Sequence, residues 1–215
     1  MRAAAVWLGI LLLAASSADA AVNCGNEKAV GWVPLYADNG AGKPGTFANP
    51  WINRHHVYCG NINRRGKAVG FHYREDGRDP VTGEGNNNPS AARITGKIKP
   101  DEGAGGWRTY RGDDIEIWDN RRGRYVLKRG FSTFFPDNCT PADVLGSIRF
   151  AVANSRKPLP KKGGRFRGMS GPRSVADGYC YIRTDASGKR QPFAVTGFLN
   201  NLRHSGWTIN TAYPQ

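Results

Sequence analysis

Residues 114–128 read DIEIWDNRRGRYVLK and have the pattern of a β-hairpin. β-Branched and aromatic residues lie on both sides of a polar segment, residues 119–123, that ends in glycine. A turn-forming segment between two such runs is typical of paired antiparallel strands. The stretch therefore predicts strands at 114–118 and 124–128.

Other segments of the chain have the same extended character, because apolar and aromatic residues alternate with polar ones. They lie at residues 69–74, 92–98, 178–184, 193–199 and 207–213. A second hairpin is expected around the turn formers at residues 185–188. Residues 75–90 are polar and rich in turn formers, and we expect a loop there. Residues 156–173 are basic and contain glycine and proline, which predicts a mobile loop or a surface that contacts phosphate.

One helix is predicted. Thr140 is a good N-cap, Pro141 suits the first helical position, and apolar residues follow at helical spacing until about Asn154. The predicted fold class is therefore α+β, with mainly antiparallel β-sheets and few helices.

The composition limits the kind of partner. The chain has 215 residues with 31 Lys+Arg against 17 Asp+Glu, which gives a net charge of +14. A hydrophobic content of 39% excludes wholesale disorder. So strong a positive charge favours a polyanion: nucleic acid, an anionic membrane or an acidic polysaccharide.

The N-terminus has the features of an export signal. In residues 1–20, Arg2 precedes an apolar run, and Ala18 and Ala20 form an A-x-A cleavage pattern. We predict a signal peptide and a secreted or periplasmic protein with no stable membrane association after cleavage. An uncleaved anchor is the alternative, although the run is short for a membrane span.

The cysteines agree with export. The four cysteines follow the predicted signal and predict two disulfides, with three pairings open. Free buried thiols are the alternative. The residues are Cys24, Cys59, Cys139 and Cys180.

Two histidines are the first candidates for catalysis, because imidazole exchanges protons near neutral pH. His56 and His72 lie sixteen residues apart, with glycines at positions 60, 66 and 70 between them. The glycines suggest a turn between two extended stretches, which could bring both imidazoles to one cleft. Structural histidines and a metal site that includes His55 are the alternatives, the latter disfavoured by its spacing.

The residues from His56 to His72, HVYCGNINRRGKAVGFH, resemble the two-histidine signature of the EndoU endoribonuclease family, H-x-x-x-G followed by G-x-H. Lys128, followed by STFFP at 132–136, is similar to that family's lysine segment. The TAYP at 211–214 is similar to its C-terminal motif. The bacterial branch matches best. The resemblance covers residues 49–215, after a lead-in at 21–48.

The resemblance implies a metal-independent enzyme without a cofactor, although stimulation by Mn²⁺ stays open. His72 would be the base for a ribose 2′-OH, His56 the acid for the leaving 5′-oxygen, and Lys128 the stabilising cation. Lys67 is a competing cation. The implied nucleotide pocket contains Ser132, Thr133, Thr211 and Tyr213.

The implied substrate is single-stranded RNA, cleaved to 2′,3′-cyclic phosphate ends. A toxin with an immunity protein as partner would fit this activity. Two other functions stay open: a non-catalytic module that binds polyanions through salt-sensitive contacts, and a DNase or other toxin nuclease on a related fold.

Overall fold

The structure, a computed structural model, describes residues 21–37, 42–83, 88–155, 159, 162–183 and 188–215. Within these ranges the chain forms short helices, one longer helix and many short strands. The helices are α1 (Glu27–Val30), α2 (Arg54–Tyr58) and α3 (Pro141–Ala153), with a 3₁₀ turn at Glu75–Gly77. The strands are β1 (Trp32–Pro34), β2 (Trp51–Asn53), β3 (Asn61–Ile62), β4 (Ala68–Val69), β5 (Ala92–Ile94), β6 (Ile98–Ala104), β7 (Trp107–Gly112), β8 (Ile115–Asp119), β9 (Arg124–Leu127), β10 (Ser132–Phe134), β11 (Gly164–Met169), β12 (Ile182–Arg183), β13 (Arg190–Gln191), β14 (Ala194–Leu202) and β15 (Gly206–Pro214).

The largest sheet has the strand order β1-β2-β15-β14-β11. Its neighbours are antiparallel except β15 and β2, which run parallel. Helix α3 packs against β11 and β14 and buries Val144 and Ile148 in the main core with Leu199. Burial of these apolar side chains is the main stabilising contribution of this layer.

Two three-stranded sheets form beside it, β10-β7-β6 and β5-β8-β9. They enclose a second core that includes Phe71, Ile115 and Phe134. The short hairpin β3–β4 lies against β8.

Several predictions are confirmed. The α+β class with mainly antiparallel sheets is present. Residues 114–128 form the predicted hairpin, β8–β9. Helix α3 begins after Thr140, which makes a reciprocal capping box with Asp143. The turn predicted at 185–188 lies outside the described residues except for Gly188. Strand β12 pairs antiparallel with β13, whereas the segment predicted as its partner, residues 193–199, pairs within β14 with β11 and β15.

Other predictions are wrong. Residues 70–74 do not continue the strand that ends at Val69, because Gly70 and Phe71 both have positive φ, +81° and +65°. The basic segment 156–173 contains β11, in which Phe166 is buried between exposed Arg165 and Arg167. Strand β6 had no sequence signal, because all of its residues are exposed and no apolar alternation marks it.

The predicted disulfides are present. Cys24 pairs with Cys59, which joins the N-terminal segment to the end of α2, and Cys139 pairs with Cys180. Residues 1–20, the predicted signal peptide, lie outside the described residues. None of the described helices has the length and apolar character needed to cross a membrane.

Candidate active site

His56 lies in α2, next to the β3–β4 hairpin. The Asn53 side chain caps the helix by accepting a hydrogen bond from the His56 backbone N–H at 3.1 Å. The imidazole is buried, and its Nδ1 lies 2.7 Å from Oδ1 of Asn61. Because an amide oxygen only accepts, Nδ1 carries the proton and Nε2 of the neutral ring keeps a lone pair.

Gly70 lies where the backbone segments that carry the two histidines cross. The backbone N–H of Phe71 donates to the carbonyl of His56 at 2.9 Å, and that of His72 donates to Val57 at 2.7 Å. A Cβ on Gly70 would lie 2.2 Å from the His56 carbonyl oxygen and 2.9 Å from its ring Cδ2. The glycine therefore allows the second histidine segment to pass directly over the first.

Phe71 adopts a strained conformation at the same crossing. A positive φ costs a residue with a Cβ roughly 1–2 kcal/mol, and Phe71 has φ +65°. Its ring is fully buried and meets Phe134 edge-to-face at 5.0 Å between centroids. Packing in the second core holds the backbone turn that orients His72.

His72 is buried between β10 and β15. Its Nδ1 lies 3.0 Å from the carbonyl oxygen of Thr133, so this nitrogen carries the proton. Its Nε2 lies 3.4 Å from the hydroxyl of Thr211, and Tyr213 stacks on the ring at 5.1 Å between centroids. Both imidazoles thus have the same tautomer, with a lone pair on Nε2, which in His72 faces the Thr211 hydroxyl.

Lys128 contacts the backbone between the two histidines. Its Nζ donates to the Gly70 carbonyl at 2.7 Å and to the hydroxyl of Ser132. Ser132 is buried, so its hydroxyl serves to hold the ammonium. The lysine charge is in this way fixed beside both rings.

Burial lowers the pKa values of His56, His72 and Lys128, and neighbouring charge lowers those of the two histidines further. Burial lowers the pKa of His56 to about 4, with a smaller lowering by Lys128 and an opposing effect of Asn61. Burial, followed by the charges of Lys128 and His56, holds the pKa of His72 well below its usual range. Burial also lowers the pKa of Lys128 to about 8. At neutral pH the site therefore holds two neutral imidazoles and one ammonium.

A cavity of about 470 Å³ opens beside His72 and Ser132, whereas His56 and Lys128 are not among the residues of its wall. Its size suits a nucleoside-sized ligand. Its wall is formed by His72, Phe131, Ser132, Thr133, Arg165, Tyr213, Pro214 and Gln215.

The structure brings together the residues expected from the sequence. Thr133, Thr211 and Tyr213 contact His72, and Ser132 contacts Lys128. The hydroxyl of Thr133 also donates to the Pro214 carbonyl.

The competing residues lie elsewhere. Lys67 is exposed in the β3–β4 turn. His55 lines a separate cavity of about 350 Å³ beside the Cys24–Cys59 disulfide. His204 is exposed at the turn between β14 and β15. Among the described residues, no group of three His, Cys, Asp or Glu could hold a metal ion.

The sequence reasoning missed Asn61 and Phe131, and it included Arg165 only as part of a basic segment. Asn61 follows a glycine at a strand start and has no signature of its own. The alternation that puts Arg165 outward beside buried Phe166 was present, but it lay in a segment interpreted as a mobile loop or a phosphate-contacting surface. Phe131 directly precedes the serine of the lysine segment.

Two imidazoles that can exchange protons beside a fixed cation define a site for acid–base chemistry at an anionic substrate. Such a combination of proton-exchanging groups and a cation is suited to the cleavage of a phosphodiester, as in a nuclease. The chain belongs to the bacterial EndoU nuclease family, whose model matches residues 52–215. Neither a curated protein nor a solved structure matches the chain.

Proposed function

We propose that the protein is an endoribonuclease that cleaves single-stranded RNA by attack of the neighbouring 2′-OH on the phosphate. The products then end in a 2′,3′-cyclic phosphate. The observation that carries the proposal is the arrangement of His56, His72 and Lys128 around the backbone of Gly70. These groups supply a base, an acid and a cation, while the substrate supplies the nucleophile.

His72 is the base in this mechanism, because it lines the nucleotide-sized cavity with its Nε2 available. Nε2 takes the proton of the 2′-OH, and O2′ forms a bond to phosphorus. The bond from phosphorus to O5′ breaks, and O5′ takes a proton from Nε2 of His56, which must be in its imidazolium form, with both ring nitrogens protonated, at this step. Lys128 stabilises the negative charge that develops on the phosphorane oxygens.

Asn61 supports the role of His56 as the acid. Its oxygen accepts from Nδ1 in the neutral and the protonated ring, and this contact raises the pKa of His56 against the effect of burial. A phosphodiester anion near the ring favours the charged form further. Substrate binding therefore promotes the protonation that the leaving group needs.

Export gives this activity a setting outside the cytoplasm. Two disulfides fit an extracellular or periplasmic protein. We propose a secreted or periplasmic nuclease that acts as a toxin on RNA. An immunity protein made by the producing cell would then be its binding partner. The surplus positive charge would attract the phosphate backbone.

The test is cleavage of a DNA oligonucleotide that contains one ribonucleotide, in EDTA, with identification of the product ends by mass. We expect a single cut after the ribose and a cyclic phosphate. His56→Ala and His72→Ala should abolish the cut, whereas His204→Ala, an exposed histidine outside the cluster, should not.

Each alternative predicts a different result. Cleavage of the oligonucleotide without the ribose would indicate a DNase. Salt-sensitive binding without turnover of any RNA would indicate a binding module. Full activity of His56→Ala or His72→Ala would refute the proposed mechanism.

A further inference from the structure

Phe131 is an exposed aromatic side chain at the mouth of the cavity that holds His72. Half of its surface is accessible to solvent, 50%, although it lines the cavity wall beside Ser132. A phenylalanine with half of its surface in contact with water gains little from its position in the free protein. Aromatic rings at such positions are typical stacking surfaces for nucleic-acid bases.

The ring is supported from one side. The guanidinium of Arg111 lies 3.8 Å from the ring centroid, a cation–π contact. Arg111 is held in turn by Asp113, whose two carboxylate oxygens contact Arg111 Nε and Lys99 Nζ at 3.1 Å each. Arg111 on β7 lies opposite Thr133 on β10. The same pair of strands therefore positions the arginine under the Phe131 ring and the threonine that contacts His72.

The cavity also contains a positive charge. Arg165 is exposed on β11 and forms part of the wall. Among the described residues, no carboxylate forms an ion pair with it. The cavity thus offers a ring for a base and a guanidinium for a phosphate, next to the imidazole of His72.

We propose that Phe131, supported by Arg111, is the stacking platform for the base of the nucleotide whose 2′-OH is activated by His72, and that Arg165 contacts the RNA backbone phosphate. This rests on the proposed endoribonuclease function and adds a base-binding subsite to it. Stacking accepts any base, so Phe131 contributes affinity and orientation to all four nucleotides.

The experiment compares two substrates that differ only in the base. Both are DNA oligonucleotides with one ribonucleotide; in one the ribose carries uracil, and in the other it is abasic. Phe131→Ala should lower kcat/KM for the base-bearing substrate by about 5- to 150-fold, the range that one lost stacking contact represents. It should leave the abasic substrate nearly unchanged.

Further variants separate stacking from a general effect. Phe131→Trp should retain kcat/KM for the base-bearing substrate, because tryptophan keeps an aromatic face. Phe131→Leu should lower kcat/KM for this substrate as Phe131→Ala does, because leucine has no aromatic face. Arg111→Gln should lower kcat/KM for the base-bearing substrate and leave that for the abasic substrate nearly unchanged. Arg165→Gln should slow both substrates alike, because both contain the phosphate. Val175→Ala removes an exposed apolar side chain outside the cavity and is the control.

The outcomes are distinct. Equal loss on both substrates, or no loss on either, with Phe131→Ala and Phe131→Leu would overturn the platform and leave the proposed function standing. Retained discrimination between the substrates in Phe131→Leu would do the same. No cleavage of the base-bearing substrate by the unmodified protein would refute the proposed function and the platform with it.

Discussion

Replacement of Gly70 by alanine tests whether the close crossing of the two histidine segments is required for the site. Gly70 has φ +81°, a conformation that costs an alanine roughly 1–2 kcal/mol. The new Cβ would also lie 2.2 Å from the His56 carbonyl oxygen. Carbon and oxygen normally approach to about 3.3 Å, so the backbone must separate by roughly 1 Å.

This displacement has two costs. Overpacking of a tight contact lowers the free energy of unfolding by about 1–3 kcal/mol, in addition to the cost of the positive φ. A shift of about 1 Å between catalytic groups can reduce the rate by about 100-fold. Gly70→Ala should therefore lose activity at temperatures where the protein is still folded.

Gly178 provides a matched control. It has φ +82°, yet a Cβ there would meet no atom within 4 Å. Gly178→Ala thus has the same conformational cost without the clash. Denaturant unfolding should give Gly70→Ala a further loss of about 1–3 kcal/mol relative to Gly178→Ala, and kcat/KM should fall only in the former. Equal stability and equal activity of the two variants would refute the argument.

Four further predictions concern protonation and the disulfide. Cleavage should decline above about pH 8 as Lys128 loses its proton, and Lys128→Arg should move that decline to higher pH; an unchanged profile would contradict this. The unfolded chain binds more protons between pH 8 and 10.5, so this lysine's contribution to the free energy of unfolding should rise with pH across that window. Asn61→Asp should raise the pKa of His56 above its value of about 4, as measured by NMR titration; an unchanged titration argues against the contact. Joint replacement of Cys24 and Cys59 by alanine should lower the free energy of unfolding by about 3–4 kcal/mol, since the bridge closes a loop of 35 residues; an unchanged denaturation midpoint would exclude this.

Local sequence signals predicted the elements that depend on local interactions. The turn at residues 119–123 gave the hairpin β8–β9, and Thr140 with Pro141 gave the start of α3, because caps and turns are satisfied within a few residues. The glycines between the histidines correctly indicated a turn, which the β3–β4 pair confirms.

Long-range packing explains the errors. Residues 69–74 alternate like a strand, but the backbone N–H groups of Phe71 and His72 donate to α2 instead of a neighbouring strand. Strand β6 forms because β7 offers a partner edge, although none of its residues is buried. Neither fact is encoded within the segment itself.

The sequence alone thus determined the α+β class, the half-cystine count and the candidate residues His56, His72, Lys128 and Tyr213, since these depend on residue type and order. Tertiary structure decided the cysteine pairing, the contact of Lys128 with Gly70 and the proton on each imidazole Nδ1. These properties depend on atoms brought together from distant parts of the chain. Burial and hydrogen bonding there set the pKa values that acid–base chemistry requires.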